Sequence, residues 1–533
     1  MDSNRKLLSR QTLLSDTAIL IYLALVKLLL HWLTSGSYGY FRDEFYYIVA
    51  SQRLQFGYLE FPPMIALITA FTRATLGESL FALRFFPALA GALIVLLTGL
   101  MARELGGGRW AQALAALAAL VAPIYLGMNS LLTMDSFDQL WWVLAAYIVI
   151  RILKGDIPFS LTGTRSGAGD EGHAKLWLWF GLVAGLGLIT KITMAYFGAA
   201  LVVGLLLTPA RKYLASKWLW LGGLIAFAFL LPYIGWEIAN GWPTLEFWKM
   251  YAGGKTYPVT PVEFLLQQIV ILHPISLPLW LAGLGYYFFS QDGKTYRPLG
   301  IAYVALFLAL MIIKAKNYFL APAYPMLFAA GALVVERFAS KPRWNWLKLS
   351  YVSFVIIAGV LTAPLAMPVL PVETFIRYSN LFGGGAEVKT ERLETAELPQ
   401  QFADQFGWEN LAATVAGVYR ALPPEEQAKA CIFGGNYGET DAINFFGKAY
   451  GLPQAISGHN QHFLWGPGNC TGEVVIIVGV PKQYLENLFN TVTVADAARC
   501  KYCMPYESNL PVLVCRGLKM PIKEFWPRVR NYS

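Results

Sequence analysis

The sequence predicts a polytopic α-helical membrane protein that ends in a soluble α/β domain. Of the 533 residues, 56% are hydrophobic and only 14% are charged, and the mean hydropathy is +0.47. Soluble proteins carry about 25% charged residues, so the composition excludes an ordinary soluble protein. Long apolar stretches fill the chain to about residue 370, and beyond it acidic residues, glycines and short β-like runs replace them.

The membrane part contains about eleven apolar runs long enough to cross a bilayer, which takes roughly 17 to 25 residues. These runs lie near 17–33, 79–102, 110–126, 136–153, 176–190, 192–208, 217–235, 264–289, 297–313, 318–337 and 347–368. Residues 176–208 are the hardest to divide, because GLGLITKITM either separates two spans or lies in one kinked helix. No small-residue cleavage site follows the first run, so we expect an uncleaved first span.

Basic residues between the runs indicate the orientation. The formal net charge is +9, and the lysines and arginines cluster in alternate loops, as the positive-inside rule requires for a cytoplasmic N-terminus. This clustering also argues against nucleic acid as a partner. With an odd number of spans, the loop 34–78 and everything after about residue 370 lie outside the cytoplasmic (inner) membrane. We therefore expect a transmembrane domain over 1–370 and an extracytoplasmic α/β domain over 371–533.

In the C-terminal domain, strands alternate with helices, which is typical of a small α/β fold. The predicted strands are ACIFGGN, EVVIIVGV, NTVTVAD and LPVLVCRG, and the predicted helices are 408–421, 438–450 and 482–489. All five cysteines fall here, and CKYC has no second CxxC pair. We therefore expect a structural disulfide rather than a zinc or redox site. Four aromatic and imidazole residues either line a carbohydrate surface or pack the core: Tyr437, His459, His462 and Trp465.

Acidic residues stand out in the outer loop 34–78. Asp43 and Glu44 follow Arg42 and precede three aromatic residues, so a short helix at the membrane surface would turn a carboxylate to a cavity and the aromatics to lipid. Such a carboxylate can accept a proton from a hydroxyl. A salt bridge to Arg42 is the simpler alternative. Asp135, in LLTMDSFDQLWW on the same face, is a third candidate, although it could instead cap the helix that follows.

The outer face also carries candidate metal and phosphate ligands. Glu60 and His273 are the most plausible metal pair, although two ligands leave a divalent ion half coordinated. A hydrogen-bonded structural histidine is the alternative. Lys314, Lys316 and Tyr318 lie at the outer ends of two spans, where cations and a phenol suit a phosphate group. Snorkelling lysines and an aromatic belt would explain the same three residues.

Longer phrases resemble the dolichyl-phosphate-mannose protein mannosyltransferase superfamily, the family 39 and aminoarabinose-transferase-like GT-C glycosyltransferases of bacteria. The phrases are RDEFYY, GYLEFPPM, SLFALRFFPALAGA, LTMDSFDQLWW, GLGLITKITM, HPISLPLWLAGL and KNYFLAPAYPMLFAAGA, with FADQFGWENL, NYGETDAINFFGKAYGLP and SGHNQHFLWGPG in the tail. The resemblance covers most of the chain and implies a GT-C fold. It also implies that Asp43 is the catalytic acid or base, that Glu60 and His273 bind zinc, and that Tyr318 lies near the lipid phosphate.

Two positions depart from the pattern of the aminoarabinose transferases. Tyr46 stands where they have an arginine, and Phe61 stands where they have a lysine beside the glutamate. Both changes affect how a donor phosphate is held. We expect Arg42 and Tyr46 to remain among the substrate-binding residues. The missing positive charge would come from one of four lysines: Lys191, Lys255, Lys314 or Lys316.

Together these features predict an enzyme that moves a sugar from a polyprenyl-phosphate carrier to a hydroxyl of a protein, glycolipid or glycan, by a single inverting displacement. Asp43 would be the base, with Glu44 and Asp135 as further candidates. The expected partners are the lipid-linked donor, membrane lipid and an acceptor that the sequence does not identify. The expected cofactor is a divalent metal, zinc by resemblance and otherwise magnesium or manganese.

A transporter or flippase for a lipid-linked sugar is the main alternative. It predicts ionisable residues near the middle of several spans and inverted repeats, and neither is evident in the sequence. A receptor whose tail binds a polymer is a third interpretation, for which eleven spans would be excessive.

Overall fold

The computed structural model describes residues 15–155, 172–254, 259–382, 394 and 397–532. The chain forms two compact units. The first comprises Met1–Ser35, Phe81–Ile234 and Pro258–Leu370, and the second comprises Gly36–Leu80, Gly235–Tyr257 and Pro371–Ser533. The outer loop that we assigned to the transmembrane domain therefore belongs, from residue 36 onward, to the same unit as the C-terminal α/β region.

Apolar helices long enough to cross a membrane confirm a multi-pass membrane protein. Seven such helices lie among the described residues: Asp16–Thr34, Leu80–Glu104, Met134–Lys154, Lys217–Ala239, Asp292–Ile312, Asn317–Ala339 and Pro342–Ala366. Two bent pairs raise the number to nine if each is one span. They are Met194–Leu206 with Pro209–Ala215, bent by 116°, and Pro261–Ile271 with Pro274–Phe289, bent by 95°.

The remaining two predicted spans are helical but short. Arg109–Val121 and Leu176–Leu188 have 13 residues each, or about 20 Å at 1.5 Å per residue, which is less than the hydrocarbon thickness of about 30 Å. The count of eleven therefore stays a prediction. GLGLITKITM separates two helices, because Leu176–Leu188 ends before Thr190 and the next helix begins at Met194.

A five-stranded mixed sheet forms the centre of the second unit. Its strands are β1 Ala430–Gly434, β2 Ala455–Ile456, β3 Val474–Val478, β4 Phe489–Arg499 and β5 Asn509–Leu518. Their order is β2-β1-β3-β5-β4, with β2, β1 and β3 parallel and the last two pairs antiparallel. The four predicted strands are confirmed, and β2 was missed because two residues carry no periodic signal.

Helices complete the second unit. The longer ones are Arg42–Gln52, Met64–Thr75, Pro243–Gly254, Val372–Leu381, Trp408–Ala421 and Tyr437–Phe446, and the shorter ones are Gln400–Ala403, Pro424–Gln427, Gln461–Trp465, Lys482–Glu486 and Ile522–Phe525. The cysteines form two disulfides, Cys431–Cys470 and Cys500–Cys503, and Cys515 is a buried free thiol. The expectation of a disulfide is confirmed, and its structural role stays a prediction.

One helix from the outer loop is built into this core. Phe45 is fully buried and packs edge-on against Trp408, with 6.1 Å between ring centroids. It shares a hydrophobic cluster with Ile432 of β1 and Ile476 of β3. Because side chains alternate across a strand, the neighbouring residues of these strands face a separate cluster on the other side of the sheet. The helix Arg42–Gln52 thus has its position fixed by the α/β fold.

Candidate active site

Asp43 lies in the first turn of the helix Arg42–Gln52, where the helix dipole favours a negative charge. The Tyr437 hydroxyl donates a hydrogen bond of 2.6 Å to its Oδ1 atom, and Arg42 Nε is 3.9 Å from the same oxygen. The Asp43 side chain is 31% exposed. Among the described residues no other donor contacts this side chain, which leaves Oδ2 without a hydrogen-bond donor.

Arg42 is held by groups far along the chain. Its Nη1 donates to the Tyr506 hydroxyl at 2.7 Å, and its Nη2 is 3.5 Å from the Asp404 carboxylate, which is fully buried. The Arg42 backbone N–H also donates to the Asp404 carbonyl at 3.0 Å. The guanidinium lies 5.3 Å from the centroid of the Tyr437 ring. This residue therefore fixes the start of the helix that carries Asp43.

Glu44 has a structural contact. Its carboxylate accepts a hydrogen bond of 2.8 Å from the backbone N–H of Phe41, the residue that precedes the helix. The side chain is fully buried. A glutamate at this position satisfies a backbone donor that the helix itself cannot satisfy. Glu44 is therefore buried and hydrogen-bonded to the backbone, whereas its neighbour Asp43 is partly exposed.

The aromatic residues of the helix pack against protein, so the expectation that they face lipid is wrong. Tyr46 is 2% exposed, and its ring stacks on Tyr437 at a centroid distance of 4.7 Å. The Tyr46 hydroxyl accepts a hydrogen bond of 3.1 Å from the backbone N–H of Gln461. Burial, and then the neighbouring Glu60 carboxylate, raise the pKa of the Tyr46 phenol well above its usual value.

The segment 458–465 holds the loop that contains Glu60. Asn460 Nδ2 donates to Glu60 Oε1 at 2.6 Å, and Gln461 Oε1 accepts from the Leu59 backbone N–H at 2.9 Å. Asn460 is fully buried and has a positive φ of 48°. Such a conformation is costly for a residue other than glycine and persists only where surrounding contacts enforce it.

Asp441 and His462 form a buried pair of a carboxyl group and an imidazole next to Tyr46. His462 Nε2 is 2.9 Å from Asp441 Oδ1, and both side chains are almost completely buried. The His462 ring is parallel to Tyr46 at 6.1 Å and edge-on to Trp465 at 4.8 Å. Burial raises the pKa of the Asp441 carboxyl, although His462 opposes the shift. The pair therefore packs against Tyr46 through the His462 ring.

In the first unit, Asp135 and Tyr318 share a lysine neighbour. Asp135 lies in the first turn of the helix Met134–Lys154 and forms an ion pair with Lys191. Lys191 Nζ is 5.3 Å from the Tyr318 ring centroid, and Lys316 Nζ is 5.8 Å from the same ring. The N-cap residue of this helix is Thr133, so Asp135 is not its capping residue.

His273 and Lys314 occupy strained positions at helix breaks. His273 is 1% exposed, has a φ of 57° and lies 3.3 Å from Ser276 Oγ through Nδ1. It separates the two halves of the bent pair described above. Lys314 has a φ of 52° just after the helix Arg297–Ile312. Lys255 lies outside the described residues.

Comparisons with known proteins bear on the same regions. Residues 60–236 match the family model for dolichyl-phosphate-mannose-protein mannosyltransferase. Over 342 residues, 58% of the chain, the sequence is 25% identical to undecaprenyl phosphate-alpha-4-amino-4-deoxy-L-arabinose arabinosyl transferase 2 of Pseudomonas fluorescens (strain Pf0-1). The match covers 59% of that relative, so the chain spans about three-fifths of its length.

Two crystal structures of ArnT from Cupriavidus metallidurans share the fold. The structure bound to undecaprenyl phosphate has a TM-score of 0.62 at 16% identity and covers 94% of this chain and 98% of the other. The apo structure has a TM-score of 0.60 at 16% identity, with 93% and 97% covered. The chain has the GT-C fold of these ArnT structures. The predicted fold class is confirmed.

The resemblance implies a zinc ion held by Glu60 and His273. Among the described residues, no group of three or more histidine, cysteine, aspartate or glutamate side chains is placed to hold a metal ion. Glu60 is engaged by Asn460, and His273 is beside Ser276. Two ligands alone do not make a zinc site, and Glu60 and His273 belong to different compact units. The metal pair therefore stays a prediction, and no step of the mechanism uses a metal.

Sequence reasoning missed three polar residues of the C-terminal tail, which contact Arg42, His462 and Glu60 respectively. Asp404, Asp441 and Asn460 lie in the tail phrases FADQFGWENL, NYGETDAINFFGKAYGLP and SGHNQHFLWGPG, which were noted only for their resemblance. The signal available in the sequence was that these polar residues stand among glycines and aromatic residues, which is typical of a functional site. Nothing in their spacing pairs them with the outer loop.

Proposed function

We propose that this protein transfers a sugar from a polyprenyl-phosphate-linked donor to a hydroxyl of an acceptor outside the cytoplasmic membrane. The observation that carries the proposal is the environment of Asp43, a partly exposed carboxylate with one oxygen held and the other open. The relatives support the donor class, because one is an undecaprenyl-phosphate arabinosyl transferase and the other was crystallised with undecaprenyl phosphate. We also propose that the N-terminus is cytoplasmic and the α/β domain extracytoplasmic.

The reaction is a single inverting displacement. Asp43 Oδ2 takes the proton of the acceptor hydroxyl as its oxygen attacks the anomeric carbon. The bond from that carbon to the phosphate oxygen breaks, and the electron pair leaves with the polyprenyl phosphate. General-base catalysis of this kind contributes about 10²- to 10⁴-fold to the rate.

Positive charge must stabilise the departing phosphate, and fixed cations do this best. We assign this role to Lys314 and Lys316, and we propose that the Tyr318 hydroxyl donates a hydrogen bond to the phosphate. Asp135 is proposed to orient Lys191, its ion-pair partner, rather than to act as a second base.

The remaining residues of the loop helix support the base. Glu44 caps the helix, Arg42 is engaged by Asp404, and Tyr46 is buried. We therefore propose a supporting role for all three, in place of substrate contact or catalysis. A pentose and a hexose both fit the proposal, and the choice of donor is left to experiment.

The test uses the full-length protein in detergent or lipid nanodiscs, a panel of polyprenyl-phosphate pentoses and hexoses, and membrane glycolipid as acceptor. Release of polyprenyl phosphate and labelling of the acceptor are measured together. We expect Asp43→Asn to lower turnover by at least about 100-fold. Asp496→Asn changes an exposed carboxylate on β4 and is the matched control. Equal turnover by D43N would refute the base assignment, and donor movement without sugar transfer would favour a transporter.

A further inference from the structure

We infer that Tyr437 positions the Asp43 carboxylate for the reaction, so that the C-terminal α/β region forms part of the catalytic centre. This inference rests on the proposed function, in which Asp43 is the base. It assigns Tyr437 a positioning role, since the phenol acts through Asp43 and is not proposed to touch the reacting atoms.

The contact between the two residues is short and well defined. The Tyr437 hydroxyl donates to Asp43 Oδ1 at 2.6 Å, across 394 residues of sequence. Hydrogen bonds from a hydroxyl to a carboxylate are about twice as strong as neutral ones. Because Oδ1 is held, rotation of the carboxylate about its terminal bond is restricted, and the lone pairs of Oδ2 keep one direction.

Tyr437 is itself fixed on several sides. Its backbone N–H donates to His459 Nδ1 at 3.2 Å, and its ring is parallel to the His459 ring at 5.3 Å and to Tyr46 at 4.7 Å. The helix that it begins is capped reciprocally by Asn436 and Glu439. These contacts fix the side chain of Tyr437, so its hydroxyl has a single position.

The residue after Tyr437 shows how closely the two helices approach. A Cβ atom added to Gly438 would lie 2.5 Å from Arg42 Cγ, which is closer than real Cβ contacts. Glycine at this position therefore lets the helix Tyr437–Phe446 meet the first turn of the helix Arg42–Gln52. That approach brings the phenol within hydrogen-bond distance of Asp43.

The protonation of Tyr437 agrees with a donor role. Burial raises the pKa of the phenol well above its usual value; the neighbouring Arg42 guanidinium opposes this shift and the Asp43 carboxylate adds to it. The hydroxyl therefore keeps its proton over the physiological range. The protonated phenol can therefore donate its hydrogen bond to Asp43 Oδ1 throughout this range.

A purely structural role is the competing explanation, in which the hydrogen bond only holds the helix in place. The variant Tyr437→Phe separates the two, because it keeps the ring that stacks on Tyr46 and His459 and removes only the hydroxyl. We expect kcat to fall roughly 10- to 100-fold, the loss typical of a hydrogen bond to a charged group, with the donor KM within about twofold of wild type. Tyr419→Phe is the matched control, since its hydroxyl donates to the Gln427 carbonyl at 3.2 Å in the same unit.

A double-mutant cycle tests whether the phenol acts through Asp43. We expect Y437F to cost nothing further when added to D43N. An equal loss in both backgrounds, wild-type kinetics in Y437F, or a Y437F protein that does not fold would each overturn the inference. These outcomes leave the proposed function intact if D43N still loses transfer. Absence of sugar transfer by the wild type across the whole donor panel would overturn both.

Discussion

Arg42 provides the sharpest test of how the helix that carries Asp43 is held. Arg42→Met keeps the length of the aliphatic stem and removes the guanidinium. The variant loses the 2.7 Å hydrogen bond to Tyr506 and the cation that faces Asp404, whose side chain is fully buried. Burial, followed by the Asp404 charge, also raises the pKa of Glu507 well above its usual value, and Arg42 opposes that shift. Removing Arg42 therefore leaves two buried carboxyl groups without the cation between them.

The magnitude follows from these contacts. Breaking a buried pair by removing one partner costs about 3 to 5 kcal/mol. The 3.5 Å separation from Asp404 is long for an ion pair, so we expect a loss near the lower end, about 3 kcal/mol in the free energy of unfolding. The matched control is Arg516→Met. Arg516 makes two hydrogen bonds of 2.7 and 2.8 Å to Glu426, but the pair is partly exposed, and exposed pairs contribute at most about 1 kcal/mol.

The assay is denaturant unfolding of the full-length protein in detergent, monitored by tryptophan fluorescence. The variants compared are R42M, D404N, the double variant and R516M. The neutral amide introduced by D404N needs no neighbouring cation. We therefore expect the double variant to recover about 2 kcal/mol relative to the sum of the single losses. A loss in R42M no larger than that in R516M would refute the argument. Strict additivity of R42M and D404N would refute the proposed coupling.

Two further predictions concern stability in the α/β region. Burial raises the pKa of Glu439 from 4.5 to about 7, so the folded state binds a proton that the unfolded state lacks between these values. The free energy of unfolding should then fall by up to about 3 kcal/mol as pH rises through this window. Glu439→Gln should remove most of that decline. Parallel curves of unfolding free energy against pH for the two proteins would contradict this prediction. The disulfide Cys431–Cys470 joins residues 39 apart in the sequence, and Cys500–Cys503 joins residues 3 apart. Loop entropy therefore predicts that the free energy of unfolding falls by about 4 kcal/mol in Cys431→Ser and by about 2 kcal/mol in Cys500→Ser. Equal losses in unfolding experiments would contradict the entropic account.

The elements that follow from local pattern could be predicted from the sequence. Hydropathy located the long membrane helices, because a span of about 20 apolar residues is a strong signal. Short β-like runs located β1, β3, β4 and β5, and the predicted helix 408–421 coincides with Trp408–Ala421. The family resemblance, read from phrases such as LTMDSFDQLWW, indicated the fold class.

Contacts between distant segments could not be predicted in this way. Asp43 and Tyr437 are 394 residues apart, and Glu60 and Asn460 are 400 apart. Each segment looks locally like an ordinary helix start or a glycine-rich turn, and nothing in its own pattern specifies its partner. The capping role of Glu44 was hidden for another reason, since Phe41 occupies the position where a serine or threonine usually reveals a capping box.

The position of Phe45 changes how the C-terminal region should be understood. A module that merely binds acceptor could be attached at any point without touching the base. Here the residue two positions after Asp43 is buried in the hydrophobic cluster of the C-terminal sheet, and the helix start is held by Asp404 and Tyr506 from the same region. Asp43, the proposed base, therefore takes its position from the folded α/β domain. Any change that loosens that domain should displace Asp43 and so lower the proposed transfer activity.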